Sequence, residues 1–264
     1  MENLDYHFLR YIGVDREGQR RIHTFYVPFF EGCHRVLELG CGEGYFLELL
    51  EEAGAKAVGV DRDTECIRSA VARGLNVFCQ DVFDYLKKAT EGEFDGIFCS
   101  HLVEHLGYHE VLELLSLCHA ALAPGGVLVL ATPNVRSLFS HLEMFYMHFG
   151  HVTFYHPNLL SFFLHQTGFS SPVSGENPNL VSLLLGKYRP HEIKLEWEDG
   201  RGIGARNWLR RIRSSMARVI AGPYLEDLAD QSNLNLRRLD ALISAIDGSF
   251  ECFVKATRPP GKDG

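Results

Sequence analysis

An apolar, β-branched run that ends in a glycine-rich turn and leads into a helix constrains this chain more than any other stretch. Val36-Leu37-Glu38-Leu39 feeds Gly40-Cys41-Gly42-Glu43-Gly44, and Tyr45 to Glu52 follows with apolar residues at helical spacing. Val58-Gly59-Val60 then reads as a second buried strand that closes on Asp61. Together these segments make half of a nucleotide-binding βαβ unit. Glycines permit the sharp turn and a close backbone approach to a ligand, while the helix N-terminus presents unpaired N–H groups. Asp61, at a strand end, is placed to accept hydrogen bonds from both hydroxyls of a ribose.

The details of the turn choose between ligands. A dinucleotide fingerprint reads G-x-G-x-x-G and seats a pyrophosphate on the helix N-terminus. Here the spacing is Gly40-x-Gly42-x-Gly44, Glu38 stands two residues before the first glycine, and Glu43 lies within the turn. Such acids suit a ligand with a cationic amino group. S-adenosylmethionine carries an ammonium, a sulfonium and a ribose, and it is the expected ligand. A nicotinamide dinucleotide is the competing one.

The chain has 264 residues, enough for one α/β domain with an insertion. A net charge of −8 argues against nucleic-acid binding by bulk charge and leaves room only for a local basic surface. Seven scattered cysteines without a C-x-x-C read as reduced thiols of a cytoplasmic protein. No signal-peptide pattern is evident, and no apolar run approaches the roughly 20 residues a membrane span needs. A soluble protein is expected.

Ahead of the first strand, 1–35 reads as an N-terminal helical cap across the mouth of the cleft. One of its basic residues (Arg16, Arg20, Arg21 or His23) is a candidate partner for a carboxylate. Thr64 to Arg73 is the next helix, Val77-Phe78-Cys79 the third strand, and Asp81 stands to reach an adenine amino group, cap the following helix, or both. Phe94 to Ser100 is a fourth strand, Tyr108 to Leu122 a helix, and Val127 to Ala131 a fifth strand after a Pro124-Gly125-Gly126 turn. This alternation over 36–131 predicts five parallel strands.

Leu37 to Gly44, Gly59-Val60-Asp61, Gln80-Asp81-Val82, Phe94-Asp95 through Glu104-His105-Leu106, and Leu122 to Gly126 together resemble, in order, the motifs of class I S-adenosylmethionine-dependent methyltransferases. The resemblance covers roughly 30–175. It implies an α/β, Rossmann-like sheet of seven strands, the last antiparallel, with Phe169 to Ser174 as the sixth strand and Ser249 to Thr257 as the seventh. The domain plan is then a cap at 1–35, a cofactor-binding core at 36–176, a helical insertion at 177–248, and a final strand and tail at 249–264. The expected cofactor-binding residues are Glu38, Gly40, Cys41, Gly42, Asp61, Arg62, Asp81, Val82 and Cys99.

Chemistry is expected at His101-Leu102-Val103-Glu104-His105, directly after the fourth strand, and at Gly150-His151-Val152-Thr153-Phe154-Tyr155-His156-Pro157, after the fifth. The first stretch matches the H-x-x-E-H of inverted zinc peptidases, but it stands at the ligand edge of a parallel sheet and lacks that motif's own scaffold. Loops after adjacent strands converge above the ligand in open sheets. The pattern also resembles ubiquinone-pathway O-methyltransferases and small-RNA 3′-end 2′-O-methyltransferases, which carry E-x-x-E-H here and a later histidine. By that likeness Glu104, His105 and His151 would hold a divalent metal. His101 stands where those groups have glutamate, and it completes an expected metal set of His101, Glu104, His105 and His151. Imidazoles with one carboxylate favour zinc, manganese or iron over magnesium. The alternative use of these histidines is as general bases, for which His105, His151 and His156 are the candidates.

A further likeness is to bacterial methyltransferases of cell-surface polysaccharide assembly. It rests on Tyr26-Val27-Pro28-Phe29-Phe30, Glu104-His105-Leu106, Ala131-Thr132-Pro133-Asn134, the His151 and His156-Pro157 stretch, and Phe253-Val254-Lys255-Ala256. It implies a sugar hydroxyl or phosphate of a glycan as acceptor. The alternatives are a small phenolic or quinone-like metabolite, or an RNA end. Outside this class stand a nicotinamide oxidoreductase and a non-catalytic cofactor-binding scaffold. In the insertion, Arg206, Arg210, Arg211, Arg213 and Arg218 flank an apolar stripe; this basic amphipathic helix could meet an anionic membrane, a phosphorylated substrate or a partner protein. Leu234 to Ile246 is a second amphipathic stretch.

Overall fold

The computed structural model describes residues 4–137, 140–141, 145–179, 227, 230–235 and 249–261. Its strands are β1 (Arg35–Leu39), β2 (Lys56–Asp61), β3 (Val77–Cys79), β4 (Phe94–Ser100), β5 (Leu122–Pro133), β6 (Ser170–Glu176) and β7 (Glu251–Thr257). They form one sheet in the order β3-β2-β1-β4-β5-β7-β6. β1 to β5 pair in parallel, and β7 runs antiparallel to both β5 and β6. The class I methyltransferase fold, with its antiparallel last strand, is therefore present.

Helices α1 (Leu4–Tyr11) and α2 (Arg16–Thr24) precede the sheet. Between the strands run α3 (Tyr45–Glu52), α4 (Thr64–Ala72), α5 (Val82–Leu86) and α6 (Tyr108–Ala121). After β5 come a single helical turn, α7 (Phe145–Met147), and then α8 (Pro157–Gln166). The period of two along each strand sorts the core into two layers. Leu37, Leu39, Ile97 and Leu128 face α6 and α8, while Val36, Phe98 and Val129 face Tyr26, Phe30 and Phe46. Glu38 falls on the Val36 face.

Contacts divide the chain into Met1–Leu183 with Asp247–Gly264, and Leu184–Ile246. Asn177 lies within the first of these, inside the stretch that the sequence assigns to the insertion. Of the second unit only Asp227 and residues 230–235 are described, with Gln231 donating to Asp227. The basic helix with Arg206, Arg210, Arg211, Arg213 and Arg218, and most of the 234–246 stretch, lie outside the described residues.

One element departs from expectation. β5 leaves α6 directly at Leu122, and the expected Pro124-Gly125-Gly126 turn is absorbed into it as an irregularity. Gly125 has φ +82°, and the β4–β5 register shifts between Phe94 and Gly96. A glycine in the left-handed region lets the strand begin pairing early and then recover its register.

The turn after β1 needs its glycines for two different reasons. Gly42 has φ +51° with open space where a Cβ would stand, whereas Gly44 has φ +76° and a Cβ there would lie 2.7 Å from Leu75 and 3.2 Å from Leu47. Gly42→Ala should thus cost about 1–2 kcal/mol from backbone strain alone. Gly44→Ala should cost about 2–4 kcal/mol, strain and overpacking together. Urea unfolding of both variants measures the difference; equal losses would mean that Leu75 gives way.

Candidate functional site

A cavity of about 480 Å³, within the range of small-molecule sites, opens at the C-terminal ends of β1, β2 and β4. On one side the Gly40–Gly44 turn forms its wall, with three glycines at positive φ. Asp61 holds that turn in place: Oδ2 accepts the Gly42 N–H at 2.8 Å and Oδ1 accepts the Asp63 N–H at 2.8 Å.

Five buried side-chain atoms among the described residues find no hydrogen-bond partner, and four belong to residues on this cavity: His23 Nδ1, Glu38 Oε2, Gln80 Nε2 and Ser100 Oγ. Buried polar atoms are otherwise satisfied, and each orphan costs about 1–3 kcal/mol. Their gathering around one cavity marks it as shaped for a polar ligand. Glu38 is 2% exposed, and burial, followed by the neighbouring Asp61 charge, pushes its carboxyl well above the usual range. A cationic group arriving there would relieve both causes.

The expected cofactor residues mostly converge. Glu38, Gly40, Cys41, Gly42, Asp61, Arg62, Asp81 and Val82 all line the cavity. Asp81 also caps α5, with Oδ1 accepting from Phe83 N–H and Asp84 N–H, so its two expected uses involve separable oxygens. Cys99 is not brought to the cavity: its side chain alternates onto the opposite face of β4 and is fully buried in the α6-side core. Gln80 and Ser100 were not singled out as ligand contacts, while His23, one of the basic residues offered as a carboxylate partner, does line the cavity. The available signal for Gln80 and Ser100 was a polar residue at or just after the end of a buried strand.

Phe8, Leu9 and Ile12 of the N-terminal segment line the cavity. Its arginines have other partners. Arg16 pairs with Glu48 at 2.8 Å, and Arg20 with both Glu48 and Glu52. Arg10, nearer the cavity, forms a two-pronged bond to Glu43. These bonds tie α1 and α2 to the turn and to α3.

His101 stands directly after β4 with φ +50°, in the left-handed region. Its Nδ1 is 3.0 Å from Glu104 Oε1, and its Nε2 is 2.7 Å from Glu251 Oε2. Both carboxylates are fully buried. Thr132 Oγ1 donates to the second oxygen of Glu104, while the Tyr26 hydroxyl and Asn177 Nδ2 donate to that of Glu251. Burial alone would lower the imidazole's pKa, but its bonds to the two glutamates carry it up to about 10. For Glu104 and Glu251, burial pushes upward, and the hydrogen bond and charge of His101 bring both below the usual range. The ring is a cation between two anions, on the cavity wall.

This arrangement dissolves the expected four-residue metal set. Both nitrogens of His101 are engaged within the network, so it has no ligand atom to offer without breaking it, and each oxygen of Glu104 already takes one hydrogen bond there. His105 and His151 do meet, and they meet His148, which sequence reasoning missed. Ligand atoms of these three rings lie within 4.8 Å of one another, and all three residues line the cavity. His156, an expected base, is not brought there; its Nδ1 accepts the Asn158 N–H and caps α8, whose first residue is Pro157.

With the geometry described, likenesses to known proteins can be placed on it. Residues 8–171 match the family described as a methyltransferase domain. A SAM dependent methyltransferase from Archaeoglobus fulgidus has a similar solved structure, 27% identical, covering 96% of this chain and 99% of that one with a TM-score of 0.67. Phosphoethanolamine N-methyltransferase 2 of Haemonchus contortus, solved with S-adenosyl-L-methionine, shares the fold at 17% identity and a TM-score of 0.55, over 86% of this chain and 49% of that one. Among curated relatives, the ubiquinone biosynthesis O-methyltransferase of Psychrobacter arcticus is 33% identical over 107 residues, 38% of this chain. That match spans only 41% of the relative's own length.

The charged triad gives the folded state a definite pH dependence. A raised histidine contributes stability fully below its ordinary value of 6.5 and loses it as pH climbs toward about 10. Lowered carboxylates contribute above their ordinary value of 4.5 and lose that contribution as pH falls. Buried His23, brought down to about 4, adds a further loss as pH drops from 6.5. His101→Gln should therefore cost most near pH 6 and progressively less toward pH 10. Urea unfolding of both proteins at pH 6, 8 and 10 reads this gap, and a constant gap would mean a neutral ring.

Proposed function

The chain belongs to the methyltransferase domain family and has the class I, S-adenosylmethionine-dependent methyltransferase fold, and on that premise we propose that it methylates a hydroxyl of a small phenol- or quinol-like molecule. The observation that carries the methyl-donor part is the group of orphaned polar atoms on the cavity wall beside the glycine turn. Glu38 Oε2 suits the ammonium, Asp61 the ribose hydroxyls, and Asp81 with Val82 the adenine. Gln80 and Ser100 add polar contacts along the same wall. When bound, S-adenosylmethionine supplies an electrophilic methyl group on a sulfonium. The residues of the chain then have two tasks: to hold an acceptor oxygen in line with that methyl, and to take its proton. His105, His148 and His151 stand on the cavity wall for the second task. Burial, foremost, lowers His151, and its Nδ1 lies 2.7 Å from the Phe145 carbonyl; the ring is neutral at pH 7 with its lone pair on Nε2.

Two observations favour a small aromatic acceptor over the glycan that the sequence suggests. The curated relatives are ubiquinone biosynthesis O-methyltransferases. The cavity mouth also carries exposed apolar side chains, with Met147 and Phe149 beside Phe8. Apolar and aromatic surfaces suit a ring with few hydroxyls better than a polyhydroxylated sugar. Seven free cysteines support a reducing, cytoplasmic setting. Among the described residues no helix is long and apolar enough to cross a membrane. A contact of the basic insertion with a membrane or a protein remains part of the reading from sequence alone.

Calorimetry with S-adenosylmethionine and with a nicotinamide dinucleotide tests the premise; binding of the dinucleotide alone ends it. In the free protein Glu38 is held toward its protonated form, so binding an ammonium should release a proton and strengthen as pH rises. Glu38→Gln should weaken binding about 10- to 100-fold, the worth of a charged hydrogen bond, and abolish that proton release. Titration in buffers of different ionisation enthalpy measures both effects. In a panel of catechols, hydroquinones, nucleotide sugars and RNA ends, turnover should appear with the first two classes; methylation of sugars alone would restore the glycan reading.

A further inference from the structure

We infer that His101 determines acceptor specificity: its imidazolium, clamped at both nitrogens by buried carboxylates, offers its flat face to the aromatic ring of the acceptor. The inference deepens the proposed methylation of a phenol-like molecule and rests on that reading for its ligand. The charge of the ring follows from hydrogen-bond accounting. Nδ1 faces Glu104 Oε1 at 3.0 Å, and Nε2 faces Glu251 Oε2 at 2.7 Å. The other oxygen of each glutamate already accepts donors, from Thr132 on one side and from Tyr26 and Asn177 on the other. A bare ring nitrogen would set its lone pair against a carboxylate oxygen, so a proton lies in each gap. Imidazole is the stronger base, and both protons stay on the ring.

What the clamp leaves open decides what the ring can do. The His101 side chain is 43% exposed while both glutamates are fully buried, and it lines the cavity. With both nitrogens occupied, that open surface is ring carbon and the face of the π system. It has no lone pair to take a proton and no N–H left to hold a phosphate. It can stack. A cation against an aromatic face is attracted by the negative charge of that face, most strongly where water is excluded. A sugar has no such face and gains nothing from the contact.

The neighbours of the triad are apolar and line the same cavity. Pro133 pairs in register with Glu251, and Phe250 directly precedes it. Ile22 of α2 is tied to the same place, because Asn177 Nδ2 donates both to its carbonyl and to Glu251. A hydroxylated ring lying on His101 would meet Ile22, Pro133 and Phe250 with its apolar edge and leave its hydroxyl for the imidazole rim. Rigidity favours the contact further. His101 cannot rotate without breaking two charged hydrogen bonds, so stacking on it requires no further ordering of the side chain. The preference is for electron-rich rings, whose faces carry more negative charge.

The test uses the full chain, isotope-labelled in histidine and saturated with S-adenosylhomocysteine. Catechol and its saturated counterpart, a vicinal cyclohexanediol, are titrated in parallel by NMR and calorimetry. Both nitrogens of His101 should carry protons at neutral pH. Its carbon-bound protons should move upfield with catechol, through the ring current, and stay in place with the diol. In His101→Gln the affinity for catechol relative to the diol should fall about 2- to 30-fold, the worth of a cation–π contact. The preference for a methoxy- over a fluoro-substituted catechol should fade with it. His101→Arg, a planar cation able to reach both carboxylates, should restore most of both effects. S-adenosylhomocysteine binding checks that each variant is folded, and the spectra of the unmodified chain decide if His101→Gln is not. A neutral His101, catechol binding without the upfield movement, or an unchanged affinity ratio in folded His101→Gln overturns the inference. Upfield movement in a chain that never methylates catechols supports it and overturns only the proposed reaction. Methylation of catechols without that movement does the reverse.

Discussion

Two fully buried carboxylates share one imidazolium, and the candidate site is assembled around that arrangement. Glu104 follows β4, Glu251 opens β7, and His101 bridges them from the cavity wall. The ring itself is 43% exposed, so solvent screens the pairs in part, but removing it would leave two carboxylates buried without a counter-charge. The remaining oxygen valences are filled by Thr132 of β5, Tyr26 ahead of the sheet, and Asn177 just after β6. Five segments far apart in sequence therefore converge on a single ion network. That convergence explains how His101 keeps a φ of +50°, a conformation that costs a non-glycine residue about 1–3 kcal/mol. With both nitrogens and both neighbouring carboxylates fixed, the ring has no alternative position.

This network joins residues inside the family match to residues beyond it. The family match ends at residue 171, before β6 is complete, whereas Asn177 and Glu251 lie beyond it. The cofactor wall, built from β1, β2 and the turns after them, falls inside the matched span. Of the two carboxylates that hold His101, Glu104 falls inside it and Glu251 outside. Phe8, Met147, Phe149 and the three imidazoles, on the side of the cavity proposed to face the acceptor, fall inside the matched span as well. Acceptor choice belongs to that side, since function resides in sites and not in folds.

Legibility from sequence followed the range of the interactions. The glycine turn, Asp61 and the strand alternation were readable because each is a local pattern: β-branched runs with turns between them, and acids at strand ends. The eight expected cofactor residues that meet on the cavity are within three positions of a strand terminus. Cys99 failed because a period of two decides which face a strand residue takes, and Cys99 takes the α6 face with Ile97. The metal set failed for a different reason. At i and i+4, His101 and His105 share a face only in a helix, but a short 3-10 turn at Val103–His105 and the left-handed His101 separate them. Glu251, 150 residues from His101, and Tyr26, 225 from Glu251, left no local trace, and no spacing rule reaches across those distances.

The charge on the cavity wall bears on the direction of the proposed reaction. Five acids line it (Glu38, Glu43, Asp61, Asp63 and Asp81) against two arginines, Arg10 and Arg62, and Arg10 is already paired with Glu43. The triad beside them adds one further negative charge, two carboxylates less one imidazolium. A wall of that sign attracts a ligand that carries both an ammonium and a sulfonium. Methyl transfer removes the sulfonium charge, so the attraction to the spent cofactor falls while its contacts of shape and hydrogen bonding persist. The same field disfavours an anionic acceptor approaching free from solution. An acceptor that enters as a neutral hydroxyl and loses its proton only at the imidazole rim avoids that repulsion, and a phenol answers this description better than a sugar phosphate does. Apolar side chains at the mouth and acids deeper in the cavity thus favour the same order of events for the proposed reaction: neutral entry, deprotonation at the rim, and attack of the oxygen on a sulfonium methyl held by the negative wall.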